Sequence, residues 1–402
     1  MLRTRTLLSA SARPLRVKLP GRPFAGEVAA LTCCAGDHAT LSHMHAAERE
    51  RRRRTAGPAL ASLSDAALAE LLATGEGESS SIGGSTVRID VAGVPVFAKC
   101  VPVTDLEMAV KNRGSTANLF GLPTMYHYGV GSTGTNVWRE LAAHEVVTTW
   151  VVADQVAGFP LLYHARLLPI RRPPVADEGM DDIGSVVSYW DGSLAVGRRV
   201  DALASSTSCL VLFLEHIPWT LATWLSQHSE ASAFEAACQV VERQLLSTVA
   251  FMNGHGLHHF DVHLGNVLTD GRQLYLTDFG LANSLGFELT QSEGEFLAAN
   301  ATHDSGLART MLMNLVVTQI FAPQDAAQRN DIIRSLAAAV RPAGLPPGLG
   351  GMVRRHAAVA VVINDFYWSL FGESRATPYP TEAVEQALRQ SELQIANHGY
   401  DG

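Results

Sequence analysis

The first half of the chain alternates apolar and polar positions in a way that predicts strands. Residues 87–91 alternate strictly, and after a turn at Gly93 the apolar stretch 94–99 predicts a second strand. Two later apolar runs, 161–168 and 209–214, predict further strands. A short helix over 65–74, with Ser64 as its N-cap, precedes them all. The first half is therefore predicted to form a β-rich unit.

The second half shows the three-to-four residue spacing of helices. Ser232 and Glu235 predict a capping box for one long helix. Its apolar face is predicted to contain Phe234, Ala237, Val241, Leu245, Val249 and Met252. Other helices are predicted at 137–154, 220–227, 306–320, 325–341, 353–371 and 381–396. Strands followed by helices predict an α+β fold.

Three units follow from this pattern. Residues 1–57 have little periodicity and are predicted to be a flexible N-terminal extension, although their early arginines also resemble a transit peptide. Residues 58–218 form the predicted β-rich unit, and 219–402 form the helical unit. Two polar stretches, 111–135 and 171–208, are predicted to be insertions, the first built of short turns and the second lying at the surface.

Composition narrows the class of protein. The 402 residues are 47% hydrophobic and 17% charged, which is typical of a globular protein. A net charge of -8 gives no support for nucleic acid as a partner, and the basic run at 51–54 is most simply an exposed helix end or tail. The five cysteines lack metal-ligand spacing, so we expect reduced thiols in a cytoplasmic protein. No apolar run is long enough to predict a membrane span.

Candidate chemistry is concentrated in residues 258–283. A loop containing Asp261 and Asn266 leads into apolar segments joined by Asp270 and Gly271, which predict a hairpin. The hairpin would return Asp278 to the vicinity of Asp261 and Asn266. Carboxylate and amide oxygens suit Mg²⁺ bound to the phosphates of a nucleotide. The stretch therefore predicts a phosphate and metal site.

The motifs in this stretch resemble those of the protein-kinase-like superfamily. His259-Phe260-Asp261 with Asn266 is similar to its catalytic loop, and the segment from Asp278 through Phe279 and Gly280 to Ala282 is similar to its metal-binding loop. The resemblance implies a bilobal fold with a small β-rich N-lobe and an α-helical C-lobe. It also implies an ATP-dependent phosphotransferase in which Asp261 is the catalytic base and Asn266 and Asp278 bind Mg²⁺.

The resemblance extends to the first half of the chain. Lys99 lies in an apolar strand, where its charge is costly unless paired, and Phe97-Ala98-Lys99 is similar to the strand that carries the phosphate-binding lysine of kinases. The implied partner is a glutamate on the next helix, either Glu140 or Glu145. These two lie about 140° apart on a helical wheel, so only one can face Lys99.

Two further contacts with the nucleotide are implied by resemblance alone. Gly83 and Gly84 correspond to a loop that covers the phosphates of ATP. The segment 214–218 is similar to the hinge between the kinase lobes, in which the backbone of Glu215 and Ile217 would contact adenine. A glycine turn is weak evidence without the complete three-glycine pattern, because it also suits a simple hairpin.

The motifs are divided on the acceptor of the phosphate. Asp-Phe-Gly-Leu-Ala resembles bacterial serine/threonine protein kinases and favours a protein or peptide acceptor. His263 within DVHLGN resembles aminoglycoside and choline kinases, and with the missing Ala-Pro-Glu it favours a small-molecule alcohol. If protonated, His263 would stabilise charge near the γ-phosphate, and if neutral it would shape the loop. From these resemblances we expect a protein or peptide serine/threonine kinase, with a small-molecule kinase and a nucleotide-binding pseudokinase scaffold as the two alternatives.

Overall fold

The computed structural model describes residues 38–81, 84–171, 182–228, 230–339 and 344–398. The fold is α+β, as predicted. Its strands are β1 Glu76–Ser81, β2 Gly84–Val91, β3 Val94–Val103, β4 Leu162–Leu168, β5 Ser208–Glu215, β6 Trp219–Thr220, β7 Leu257–His258, β8 Val267–Thr269, β9 Leu274–Leu276 and β10 Asn283–Ser284. Its helices are α1 His38–Ser62, α2 Asp65–Ala73, α3 Asp105–Met108, α4 Val137–Val152, α5 Ile183–Tyr189, α6 Leu194–Ala204, α7 Leu221–Ser226, α8 Ala231–Gly254, α9 Gln291–Ala299, α10 His303–Phe321, α11 Ala326–Ala338, α12 Pro347–Gly372 and α13 Thr381–His398.

The first five strands form one antiparallel sheet in the order β1-β2-β3-β5-β4. Strand β5 lies between β3 and β4, and its eight residues are all buried. Helices α1 and α2 pack on one face of the sheet, where Leu60 and Leu68 are fully buried with residues of β2 and β3. Helix α4 contacts the other face through Val137. The sheet is therefore covered by helices on both faces, which explains its largely apolar strands.

Helix α1 corrects the prediction for the N-terminal 57 residues. Residues 38–57 belong to a helix that continues to Ser62, so the predicted boundary at residue 58 falls inside it. Ala56 and Leu60 are completely buried against the sheet. Glu48 and Glu50 pair with arginines three and four positions later, which turns the basic run into a row of ion pairs on the helix surface. Residues 1–37 lie outside the described residues.

The helical part packs around α8, α10 and α12, whose apolar faces form a shared core. Helix α8 begins at Ala231 with Glu230 at the N-cap, and no side chain of the described residues caps it, so the predicted box of Ser232 and Glu235 is wrong. Thr290 and Glu293 form a real capping box at α9. Within the described residues, no helix combines the length and apolar character needed to cross a membrane.

The two predicted insertions pack against each other. Residues 113–136, which we call the strap, run from β3 toward α4 through a 3₁₀ turn at Thr124–His127. The second insertion contains α5 and α6, and residues 172–181 within it lie outside the described residues. Tyr126 of the strap and Trp190 after α5 are both buried, with ring centroids 4.6 Å apart. The second insertion therefore contributes to a core, and is more than the surface excursion predicted.

Candidate active site

A buried lysine joins three distant parts of the chain. Lys99 on β3 donates to Glu140 Oε1 at 2.7 Å and to Asp278 Oδ1 at 2.8 Å. Lys99 is 6% exposed and Glu140 is 3% exposed, whereas the Asp278 side chain retains 43% of its surface. The charged lysine is therefore paired on one side by a buried carboxylate and on the other by a carboxylate that is partly exposed to solvent.

Glu140 is the helix partner of Lys99, and the alternative Glu145 is wrong. Asn136 caps α4 through Trp138 N–H, so the helix begins at Val137 and presents Glu140 in its first turn. Glu145 lies on the exposed side of the same helix. The five positions between them place the two side chains about 140° apart, and Glu140 lies on the face of α4 that is buried with Val137 and Ala143.

Lys99 and Asp278 favour each other's charged forms, whereas burial and the charge of Asp278 raise the pKa of Glu140. Burial by itself would lower the pKa of Lys99, but the carboxylates of Asp278 and Glu140 outweigh it and raise that pKa above its usual value. Burial would likewise raise the pKa of Asp278, but the Lys99 ammonium lowers it to about 2. Lys99 and Asp278 are therefore both charged at neutral pH, as ligands for phosphate and for a metal ion must be.

The predicted hairpin forms and brings Asp278 next to residues 258–266. After the motifs that they resemble, we refer to residues 258–266 as the catalytic loop and to residues 278–282 as the metal-binding loop. Strands β8 and β9 pair antiparallel, and Thr277 N–H donates to Asn266 O. Asn266 Nδ2 donates both to Asp261 O and to Asp261 Oδ2, at 3.0 Å each. His263 Nε2 lies 3.5 Å from Asp261 Oδ2. Asp261, His263, Asn266 and Asp278 are thus brought together as predicted.

His263 is partly exposed and faces the carboxylate of Asp261. Burial disfavours its protonated form, but the hydrogen bond and charge of Asp261 outweigh that effect and raise the pKa of His263 above its usual value. The imidazole also accepts from Gly265 N–H through Nδ1. An accepting Nδ1 requires the neutral imidazole, because both ring nitrogens of a protonated histidine are donors. Protonation of His263 beside Asp261 would therefore break the bond to Gly265, and the two roles considered for it remain alternatives.

The donor set fits a magnesium ion. Asp278 uses Oδ1 for Lys99 and Gly280 N–H, and among the described residues its Oδ2 has no hydrogen-bond partner. Asn266 is held through Nδ2, which leaves its Oδ1 without described partners as well. Among the residues that the structure describes, no three His, Cys, Asp or Glu side chains form a metal cluster. Mg²⁺ does not require such a cluster, because one or two protein oxygens, together with phosphate oxygens and water molecules, complete its coordination.

Asp304, which the sequence did not single out, holds the catalytic loop in place. It is fully buried at the start of α10 and accepts from His259 N–H at 2.7 Å and from Phe260 N–H at 2.8 Å. Phe260 has a φ of +63°, a strained conformation for an aromatic residue, and these two bonds hold it there. Burial would raise the pKa of Asp304, but the neighbouring His303 lowers it below its usual value.

Phe279 links the metal-binding loop to α4 through aromatic contacts. Its ring lies 5.0 Å from that of His259 and 5.0 Å from that of His144, the latter edge-on at 89°. His144 is completely buried, and among the described residues neither of its ring nitrogens has a hydrogen-bond partner. Burial, together with the nearby Lys99, lowers the pKa of His144 to about 3. This histidine is therefore neutral at physiological pH.

The predicted hinge has an unpredicted structural role. The Glu215 side chain is buried and bonds to Arg49 of α1 and to Leu161 N–H, while Glu215 N–H donates to Leu161 O. Ile217 N–H donates to no other group among the described residues. Arg49 was grouped with the N-terminal extension, although it shares a helix face with Ala56 and Leu60, and that stripe is the signal that could have found it.

Of the two glycines assigned to a phosphate loop, the structure describes only Gly84. Gly83 lies outside the described residues. Gly84 has a φ of +125° at the start of β2, and a Cβ there would lie 2.3 Å from Cys100 O on β3. Glycine at position 84 is therefore required by the close approach of two strands.

Comparison with protein-family models and with curated proteins finds no match to this chain. Its function must therefore be argued from its own residues and their geometry.

Proposed function

We propose that the protein transfers the γ-phosphate of ATP to a hydroxyl group, with Mg²⁺ as its metal. The observation that carries this proposal is Lys99 placed between Glu140 and Asp278, at 2.7 and 2.8 Å, beside a loop that contains Asp261 and Asn266. Phosphoryl transfer requires positioned phosphates and neutralised charge, and covalent chemistry by the protein is not needed. These residues have the charges and the proximity for that task.

The fold supports a bilobal protein-kinase-like arrangement. A five-stranded antiparallel sheet with α4 against it provides Lys99 and Glu140, and a helical region follows β5. The catalytic and metal-binding loops lie on either side of the hairpin β8 and β9 at the beginning of that region. The three cysteines in the described residues are buried thiols, which suits the reducing cytoplasm.

Each side chain has a role in the proposed reaction. Lys99 would hold the α and β phosphates, and the backbone N–H of Ile217 could bond to adenine. Asp261 would orient the acceptor hydroxyl and take its proton, while Asn266 fixes the carboxylate of Asp261 by a direct bond. Asn266 and Asp278 would hold Mg²⁺, which neutralises phosphate charge when bound.

A scaffold without activity is the less favoured alternative. Such a protein could bind ATP without the base, yet Asp261, Asn266, Asp278 and Lys99 are all present, and hydrogen bonds join Asn266 to Asp261 and Lys99 to Asp278. A buried charge such as that of Lys99 destabilises a fold unless it is paired, and its presence together with the other three residues is best explained by chemistry.

Calorimetric titration with Mg-ATP tests the assignment of Asp278. Asp278 has a φ of +68°, and asparagine tolerates that conformation, so Asp278→Asn removes the charge with little backbone strain. We expect the affinity to fall by at least about tenfold, because a metal-ligating carboxylate is lost. Asp154→Asn is the matched control, since Asp154 also has a positive φ of 55° but is exposed. Equal affinity in Asp278→Asn and the native protein would remove the proposed metal site.

A further inference from the structure

The strap lies directly against the carboxylate of Asp261. At Gly129, an added Cβ would come within 2.1 Å of Asp261 Oδ1 and 2.9 Å of its Cγ. The glycine is therefore required by contact with the side chain that the proposed function assigns as base. Tyr128 and Val130, on either side of it, are both 2% exposed, so the turn is held in place by the burial of its flanking side chains.

Hydrogen bonds anchor this turn on several sides. The Tyr128 hydroxyl donates to Asn300 Oδ1 at 2.8 Å, and the Tyr189 hydroxyl donates to Val130 O at 2.6 Å. Asn136 closes the strap on itself by donating to Ser115 O and Ala117 O. Gly129 itself is exposed, but the residues on both sides of it are anchored, and displacing the turn would break the buried bond from Tyr128 to Asn300 and leave its polar groups unsatisfied.

The strap shares a hydrophobic core with the catalytic loop. Apolar side chains from the strap, from the insertion that contains α5 and α6, and from both functional loops pack in one cluster. Its buried members include Leu122, Tyr126, Tyr128, Val130, Trp190, Val196, Phe260 and Leu281. Both predicted insertions are therefore parts of one structure assembled in front of Asp261.

The strap also forms hydrogen bonds to Glu288, in the segment that follows the metal-binding loop. Ser115 Oγ donates to Glu288 Oε2, and Glu288 N–H donates to Thr116 Oγ1. Arg139, in α4, pairs with the buried Glu293 of α9 at 2.8 Å. A polypeptide acceptor that lay along this segment would have to displace those contacts, whereas a small molecule would not.

We infer that the strap selects small hydroxyl-bearing molecules as acceptors and excludes serine or threonine within a polypeptide, with Gly129 as a specificity-determining residue. The inference rests on the proposed phosphotransfer and deepens it. Of the two acceptor classes that the motifs leave open, the geometry around Asp261 favours the alcohol of a small metabolite or antibiotic. The strap limits what can bring a hydroxyl group to Asp261.

Chemical labelling at position 261 tests this inference without requiring catalysis. Asp261→Cys is made in a chain whose Cys33 and Cys34 are replaced by serine, since the other three cysteines are buried. N-ethylmaleimide is compared with a maleimide attached to the end of an extended peptide. We expect the peptide reagent to label the introduced thiol at least about tenfold more slowly, relative to N-ethylmaleimide, because the approach is sterically constrained.

Two controls isolate the strap. Ser62→Cys, at an exposed position of α1, measures the intrinsic reactivity of each reagent. Adding Tyr128→Phe and Tyr189→Phe to Asp261→Cys removes two anchors of the strap, and we expect this change to accelerate labelling by the peptide reagent specifically. If Asp261→Cys lowers the melting temperature greatly, His263→Cys reports from the neighbouring side chain, which is 3.5 Å from Asp261.

The inference would be overturned if, with the strap unaltered, both reagents labelled Asp261→Cys at the same rate relative to Ser62→Cys. It would also be overturned if N-ethylmaleimide did not label position 261. Transfer of labelled γ-phosphate to a serine-containing peptide would overturn it as well. A failure of the phosphotransferase proposal has a different signature: Mg-ATP binding would not depend on Asp278, whatever the labelling result.

Discussion

Arg49 and Glu215 form a buried ion pair across 166 positions of the chain, with Arg49 Nη2 2.7 Å from Glu215 Oε2. Arg49 also donates to the carbonyls of Ala157 and Phe159, and Glu215 Oε2 accepts from Leu161 N–H. The pair therefore joins helix α1 to the end of β5 and to the turn before β4. An N-terminal helix thus stabilises the segment proposed to contact adenine.

Replacing Arg49 should destabilise the protein strongly. Arg49→Ala leaves the buried Glu215 carboxylate without its cation, and the loss of one partner of such a pair costs about 3–5 kcal/mol. Denaturation in urea measures the change in the free energy of unfolding. Arg51→Ala is the matched control in the same helix, because Arg51 pairs with Glu48 in solvent and should matter little. Similar losses for both variants would contradict the assigned role of Arg49.

Glu140 and Glu145 provide a paired test within α4. Glu140→Gln removes a charge-assisted hydrogen bond from Lys99, worth about 1.5–3 kcal/mol, so kcat/KM for ATP should fall by roughly ten- to a hundredfold. Glu145→Gln changes an exposed side chain and should leave kcat/KM unaltered. Hydrolysis of Mg-ATP, with water as acceptor, provides the measurement. A larger effect at Glu145 would show that Glu140 is not the functional partner.

Asp261→Asn should separate binding from transfer. The amide retains the shape of the side chain, so Mg-ATP affinity in calorimetry should stay near that of the native protein. Because the variant cannot accept the hydroxyl proton, transfer of labelled γ-phosphate to any acceptor, water included, should fall by at least about a hundredfold. An undiminished transfer rate would eliminate Asp261 as the base.

His144 should make stability sensitive to acid. Its pKa is about 3 in the folded state and near 6.5 in the unfolded state, so below pH 6.5 the unfolded chain binds a proton that the folded protein does not. Stability from this residue is therefore complete above pH 6.5 and decreases as the pH falls toward 3. At about pH 5 the loss is about 2 kcal/mol.

His144→Leu should reduce that acid sensitivity, since leucine fills much of the same space beside Phe279 without a titrating group. Urea denaturation at neutral pH and at about pH 5 gives the difference for each protein. His164, His216, His258 and His356 also have lowered pKa values and remain in both proteins, so only the difference between the two slopes reports on His144. Identical slopes would mean that His144 is not buried in its neutral form.

His263 should affect the pH profile of catalysis. Its pKa is raised by Asp261, so the protonated form persists above the usual range and is lost as pH increases through the raised value. If that charge stabilises the γ-phosphate, Mg-ATP hydrolysis at saturating nucleotide should decline over the same interval in the native protein. His263→Asn should have a lower rate without this decline. A profile unchanged by the substitution would leave His263 with a structural role only.

Local patterns predicted the elements of the site and the approach of Asp278 to Asp261 and Asn266, while the choice between Glu140 and Glu145 required the tertiary structure. The hairpin of β8 and β9 and the N-cap at Ser64 depend on neighbouring residues, and both form as expected. The helix was predicted to begin at residue 137, where α4 does begin, but its packing against the sheet, which places Glu140 and not Glu145 beside Lys99, is a tertiary contact.

Residues that act over long distances are hard to recognise in the sequence, although the helical stripe of Ala56 and Leu60 offers a signal for Arg49. Arg49 lies in a run of charged residues, and only the buried Glu215 distinguishes it from its solvent-exposed neighbours. Gly129 is one of many glycines, and its requirement arises from the position of Asp261. Asp304 opens a helix like many surface acids, yet it bonds to two backbone amides of the catalytic loop. Tertiary contacts, which periodicity does not encode, determine all three.

The order of strands in the sheet also determines when the protein can fold during synthesis. Strand β4 is synthesised before β5. Within this sheet β4 pairs only with β5, because β5 lies between β4 and β3. The ribosome must therefore release the whole second insertion, with α5 and α6, before β4 can find its partner. The ion pair of Arg49 also cannot form before Glu215, the last residue of β5, has been synthesised. The sheet that carries Lys99 is completed only when β5 emerges, and until then its unpaired edges are available to chaperones.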